Sequence, residues 1–189
     1  MTPEKWTVEQ ITTTTMEAFA DTIVPGEKRS PDDLAVAGVA SGGGAVASGA
    51  LELLSDPASG FATALEALAG LLNDHAGRFA LEHGRELDDA VPAFVALPYA
   101  DRAALMLRLT APDNGERDGW VALAMLSNMA FDTAAHLHTA DAFAREHPGL
   151  SIIGYARPDT DGLWRFRDHS YGGTPAATHP DTSPSGSPA

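Results

Sequence analysis

Cysteine is absent from the 189 residues, which excludes disulfide bridges, thiolate metal ligands and thiol nucleophiles. Basic residues are scarce: 12 Lys and Arg stand against 26 Asp and Glu, a formal net charge of -14. Such a chain has few cations with which to displace the counterions of a nucleic acid or to hold an anionic membrane surface. Long apolar runs are missing as well. The longest charge-free stretch, 34–51, is diluted by Gly, Ala and Ser and is too weakly apolar for a membrane span. Residues 1–10 are polar and lack the apolar core of a signal peptide, so the expected location is the cytoplasm. No run of strand length alternates apolar with polar residues.

What the chain does contain is helical signal. Hydrophobic residues make up 44% of it, enough for one core. Thr7 and Gln10 have the spacing of a capping box, and Val8, Ile11, Thr15, Phe19 and Ile23 repeat at helical intervals until Pro25-Gly26 stops them. Ser30-Pro31-Asp32-Asp33 supplies a cap, a first-turn proline and early acids, which predicts a second helix running to about Leu54. A third is expected from Asp56-Pro57, with Phe61, Leu65, Leu68, Leu72 and Phe79 on one face and Gly84 after its end. Shorter helices are expected over 89–97 and 99–109, and a last long one over 117–146, ended by His147-Pro148-Gly149. The expected fold is all-α: a helical bundle over 1–149 with a long irregular C-terminal arm over 150–189.

Each chemical motif has a plainer reading. Ser41-Gly42-Gly43-Gly44 has neither a preceding strand nor a following Lys, so it is no phosphate loop. Helical glycines cost about 1 kcal/mol each relative to Ala. Gly38 and Gly42, four apart on the expected helix, are therefore read as a notch for close packing, some of it against a partner. His136 and His138, two apart on the expected long helix, point about 200° apart and do not share an ion easily. Asp132 and His136 do have the four-residue spacing, but one such pair is common by chance. Ser127, Thr139 and Ser170 are candidate nucleophiles without a visible base. Trp120, Leu123, Met125 and Met129 read as core. The expectation is a chain with no catalytic, cofactor-binding or metal residues of its own.

The arm is different. Among its five prolines and five glycines it carries Tyr155, Trp164, Phe166 and Tyr171, with Arg157, Arg165 and Arg167 between them. Segments that simply stay unfolded are poor in aromatics, whereas interface cores are rich in aromatics and Arg. Tyr155, Trp164, Arg165, Phe166, Arg167 and Tyr171, with Gly38 and Gly42, are the expected partner-binding residues. Folding of Trp164 and Phe166 back onto the bundle is the competing reading.

Residues Phe19-Ala20-Asp21-Thr22-Ile23-Val24-Pro25-Gly26, followed by a short loop and Ser30-Pro31, resemble the N-terminal signature of the small subunit of gluconate 2-dehydrogenase-like complexes. Residues 120–139 and 154–171, with the 161–166 motif and the His179-Pro180 to Pro188-Ala189 ending, are similar to an actinobacterial branch of small proteins associated with such enzymes. The resemblance implies a non-catalytic accessory subunit of a GMC-type (glucose-methanol-choline) flavin-dependent oxidoreductase, with FAD in the large partner. It transfers no flavin-contacting or catalytic residue to this chain. Relatives often carry a twin-arginine export signal that this sequence does not show, so a cytoplasmic role in specialised metabolism is expected. The rival expectation is a stand-alone helical enzyme or ligand carrier with a pocket between helices.

Overall fold

A computed structural model describes residues 6–155. The chain divides into two units, Met1–Tyr155 and Ala156–Ala189. Within the described residues the architecture is all-α, with eight helices and no strand: α1 (Val8–Ile23), α2 (Ala50–Ser55), α3 (Leu65–Glu82), α4 (Ala93–Ala96), α5 (Tyr99–Leu109), α6 (Arg117–Asp132), α7 (Thr139–Ala144) and α8 (Pro148–Ile152). None of these helices is long and apolar enough to cross a membrane.

α1 begins as its sequence dictates. The Thr7 hydroxyl accepts from the Gln10 N–H at 3.1 Å, and the Gln10 side chain accepts from the Thr7 N–H at 2.8 Å. Two otherwise orphaned donors are thereby satisfied. The apolar face of α1 packs on α2, α3, α5 and α6. Met16, Phe19, Leu54, Leu72, Phe94, Leu97, Trp120 and Leu123, each at most 1% exposed, form the centre of the core. The Phe19 and Trp120 rings meet at 6.2 Å. Burying each such side chain stabilises by about 1.5–3 kcal/mol before conformational entropy is counted. Asn73 on α3 ties three helices: its amide donates to Thr15 Oγ1 on α1 at 3.1 Å, and its carbonyl accepts from Phe94 N–H on α4 at 2.9 Å.

Four expectations change, among them the helix over 89–97, of which only Ala93–Ala96 forms. The helix expected from Ser30 to Leu54 is mostly turns and loop, with only Ala50–Ser55 helical. The Asp33 carboxylate does cap N–H groups, those of Ala35 and Val36, but it closes a turn instead of starting a helix. Gly38, Gly42 and Gly49 then take φ of +72°, +80° and +83°, which a helix cannot contain. The helix expected over 117–146 breaks after Asp132, because Ala134 turns left-handed at φ +50°. His147-Pro148-Gly149 is a start, not an end: the His147 ring accepts from Leu150 N–H at 3.3 Å and opens α8 with Pro148 in its first turn. The third expected helix begins later than Asp56-Pro57, which form a short 3-10 turn (Pro57–Ser59) before α3.

Candidate functional site

The Asp21–Gly26 element does structural chemistry. Asp21 is 1% exposed, and its two carboxylate oxygens accept from Gly26 N–H at 3.1 Å and Ala37 N–H at 2.8 Å. One side chain thus closes the turn that leaves α1 and pins the loop sixteen residues on. Burial raises its pKa above the usual carboxylate value, against the opposing pull of those two N–H groups and of Arg102. Beyond the turn, Glu27 N–H donates to Gly42 C=O at 2.8 Å and Ala45 N–H to Val24 C=O at 2.9 Å. The two backbones approach so closely that a Cβ on Gly44 would lie 2.6 Å from Gly26 N, and one on Gly26 would lie 2.9 Å from Gly44 Cα. Glycine at both positions lets the chains touch.

Arg102 on α5 holds the far side of the same loop. Its guanidinium, 4% exposed, donates to Ala35 C=O at 2.8 Å, Val95 C=O at 2.6 Å and Leu97 C=O at 3.0 Å. Burial lowers its pKa from the ordinary Arg value, and the nearby Asp21 charge partly offsets this. Nearer the surface, Arg29 pairs with Glu17 at 2.6 Å and with Asp33 at 2.7 Å. The loop over 27–49 is therefore a built object with a fixed path.

That path creates a surface. A Cβ on Gly43 would meet Pro148 Cβ at 2.7 Å and one on Gly42 would meet Ile152 Cδ1 at 3.2 Å, so residues 42–43 lie directly against α8. Ile152 at the end of α8 and Ile153 just after it are 54% and 49% exposed, and Val39 in the loop is 54% exposed. Tyr155 stacks on Phe143 with ring centroids 5.6 Å apart. Of the residues expected to bind a partner, Gly42 and Tyr155 fall at this end of the chain, Gly42 against α8 and Tyr155 three residues beyond it. The helical notch expected of Gly38 and Gly42 does not form. Gly38 faces the Lys28 side chain, 2.9 Å from where a Cβ would stand, and the backbone approach belongs to Gly44 and Gly26. Trp164, Arg165, Phe166, Arg167 and Tyr171 lie outside the described residues. Ile152 and Ile153 carry no sequence signal beyond being apolar, and only the path of the loop shows their importance.

A second feature is a cleft of about 570 Å³ between residues 46–56 and 136–148, lined by Ser48, Gly49, Glu52, Asp56, His136, Arg145 and His147 among others. His147 is buried and fully engaged: its Nε2 donates to Ser48 C=O at 3.0 Å while its Nδ1 accepts from Leu150 N–H. The His136 ring lies 6.0 Å from that of His147 and against Gly49, where any Cβ would collide with it. Burial lowers the His136 pKa from 6.5, with the Glu52 charge opposing and His147 and Arg145 assisting. His136 and His138 sit in the turn after α6, not on a helix face as expected; His138 caps α7 through Ala140 N–H at 3.3 Å. Among the described residues no three His, Asp or Glu side chains are placed to share a metal ion. Ser127 is buried and donates to Leu123 C=O at 2.9 Å. Trp120 and Leu123 are core as expected, whereas Met125 and Met129 are 59% and 38% exposed.

The fold and this surface define a small all-α protein with an exposed apolar face leading into an Arg- and aromatic-rich sequence. The chain belongs to a family of unknown function (DUF5987), whose match spans residues 10–189. Neither a curated protein nor a solved structure matches it.

Proposed function

We propose that this chain is a non-catalytic accessory subunit that binds and stabilises a GMC-type FAD-dependent oxidoreductase in the cytoplasm, with FAD held by the larger partner. The observation that carries this reading is the pair Ile152, the last residue of α8, and Ile153, its C-cap, both about half exposed, with Gly42 against Ile152 and Gly43 against Pro148 behind them. Exposed apolar groups on a rigid support are the anchors that interfaces use, since little freedom is lost when they are covered. Three residues on, the sequence enters the stretch containing Tyr155, Trp164, Arg165, Phe166, Arg167 and Tyr171, the residue types enriched at interface centres. The Asp21–Gly26 signature supports the same reading from another side, because its hydrogen bonds shape the loop that backs α8.

The test is co-expression with a GMC-type FAD-dependent oxidoreductase from the same organism, followed by size exclusion with absorbance read at protein and flavin wavelengths. A yellow complex of fixed stoichiometry is expected. Ile152→Glu with Ile153→Glu should weaken it at least tenfold without loss of helicity, and a chain ending at Tyr155 should not associate. A colourless monomer that never co-elutes with flavin refutes the reading. The cleft beside His136 favours a second reading, a ligand carrier with its own pocket, and that reading requires a small molecule to co-purify with the isolated chain.

A further inference from the structure

Residues 134–146 form a flap hung between two strained points. Ala134 and Glu146 both take φ of +50°, a left-handed conformation that residues bearing a Cβ seldom hold. The flap rests on a small apolar cluster of its own, Ala134, Ala142 and Leu150 with Leu137 beside them, apart from the main core. It meets the body at two points: His136, which presses on Gly49 at the start of α2 and forms one wall of the 570 Å³ cleft, and, at the far hinge, His147, whose Nε2 donates to Ser48 C=O at 3.0 Å.

The geometry points to an acid-triggered release of this flap: it is closed while His136 is neutral, and protonation of His136 frees residues 134–146 from α2, between the hinges, and opens the cleft. A protonated imidazole must place two N–H donors. His136 Nδ1 is buried with no hydrogen-bond partner, and the Nε2 side of the ring lies against the Gly49 backbone. The charged and titratable groups around it do not supply what is missing. From α2 come Glu52 and Asp56, both exposed at the cleft rim, where solvent screens their pull. From the end of α7 comes Arg145 and from the start of α8 His147, both of which disfavour a second positive charge. On the α6 side, Asp132 accepts from Asn128 at 2.7 Å through Oδ2 and keeps Oδ1 buried and unpartnered, but it is not among the charges that shift His136; His138 caps α7. The inference needs no partner protein and stands apart from the accessory-subunit reading.

The sign follows from the burial of the ring. The closed flap binds a proton on His136 less readily than the open one, since burial depresses its pKa below 6.5. Closure is therefore complete above that value and is lost as pH falls through it. Each unit of pH below 6.5 should raise the open population by up to about tenfold until the closed form itself titrates.

The experiment is hydrogen–deuterium exchange on the full chain at pH 7.5, 6.5, 5.5 and 5.0, with rates corrected for intrinsic pH dependence. Protection over 134–146 should fall with acid while α1, α3 and α5 stay protected. In His136→Gln, which cannot charge, the same peptides should show a flat profile. A flat wild-type profile overturns the inference, as does an unchanged acid response in the variant. Should His136→Gln not fold, the imidazole resonance of His136 in the wild-type protein decides. A midpoint below the ordinary histidine value supports the device, and one at or above it overturns it.

Discussion

Removal of the Arg102 guanidinium should be among the most damaging single changes to this fold. Three well-formed hydrogen bonds run from it to the buried carbonyls of Ala35, Val95 and Leu97, and its charge offsets part of the cost of burying Asp21. Arg102→Met keeps most of the aliphatic volume and deletes all the donors. Each buried carbonyl left unmade costs about 1–3 kcal/mol, and an uncompensated buried Asp21 adds to that. Breaking one partner of such a buried charged network typically costs about 3–5 kcal/mol, against a total stability of about 5–15 kcal/mol for a domain. Urea unfolding followed by far-UV circular dichroism and tryptophan fluorescence should show the midpoint falling by a third or more with little change in slope. Arg102→Lys retains the charge but has only one nitrogen to place, so it should recover less than half of the loss. A loss under about 1 kcal/mol for Arg102→Met, or full recovery by Lys, would refute the argument that the fork holds the loop.

Two further outcomes follow from the same region. Gly44→Ala should cost about 1–3 kcal/mol through overpacking, because its Cβ meets the backbone of residues 24–26; thermal melting checks this, and a shift of less than a degree would contradict it. Burial works against charge on Asp33, but hydrogen bonds from the Arg29 side chain and from the Val36 and Arg29 N–H groups outweigh it and hold the carboxyl at about 2. Its pKa is thus depressed from 3.8, so its stabilisation is complete above that value and lost as pH falls toward about 2. Asp33→Asn should therefore cost about 2 kcal/mol in urea unfolding at pH 7 and progressively less at pH 4 and 3, whereas an equal cost at all three would sink the assignment.

The helices that carry the core were legible because their signals are local. The Thr7–Gln10 box and the Pro25-Gly26 stop each act within one or two turns, and α1 has the bounds those signals indicate; the helix expected over 99–109 is α5. The 27–49 loop misled for a physical reason. An Asp that caps two N–H groups looks the same in sequence whether a helix or a turn follows, and here the glycines after it decided the matter. The break after Asp132 has no Gly or Pro to announce it; the turn it opens sets His136 against Gly49, 87 positions earlier in the chain. Nor did the sequence show that Gly42 backs Ile152, since that contact spans 110 positions. Arg102 was likewise invisible as a clamp, because its acceptors are carbonyls, which every residue has.

The loop that Asp21 and Arg102 grip is held mainly from a distance, with tethers spanning 16 and 67 residues. Closing such long spans costs chain entropy that is recovered only when both anchoring helices are already in place. Residues 27–49 accordingly belong to the last stage of assembly, after α1 and α5 have met. The apolar face on α8, which leans on this loop, then comes into being only on a finished body.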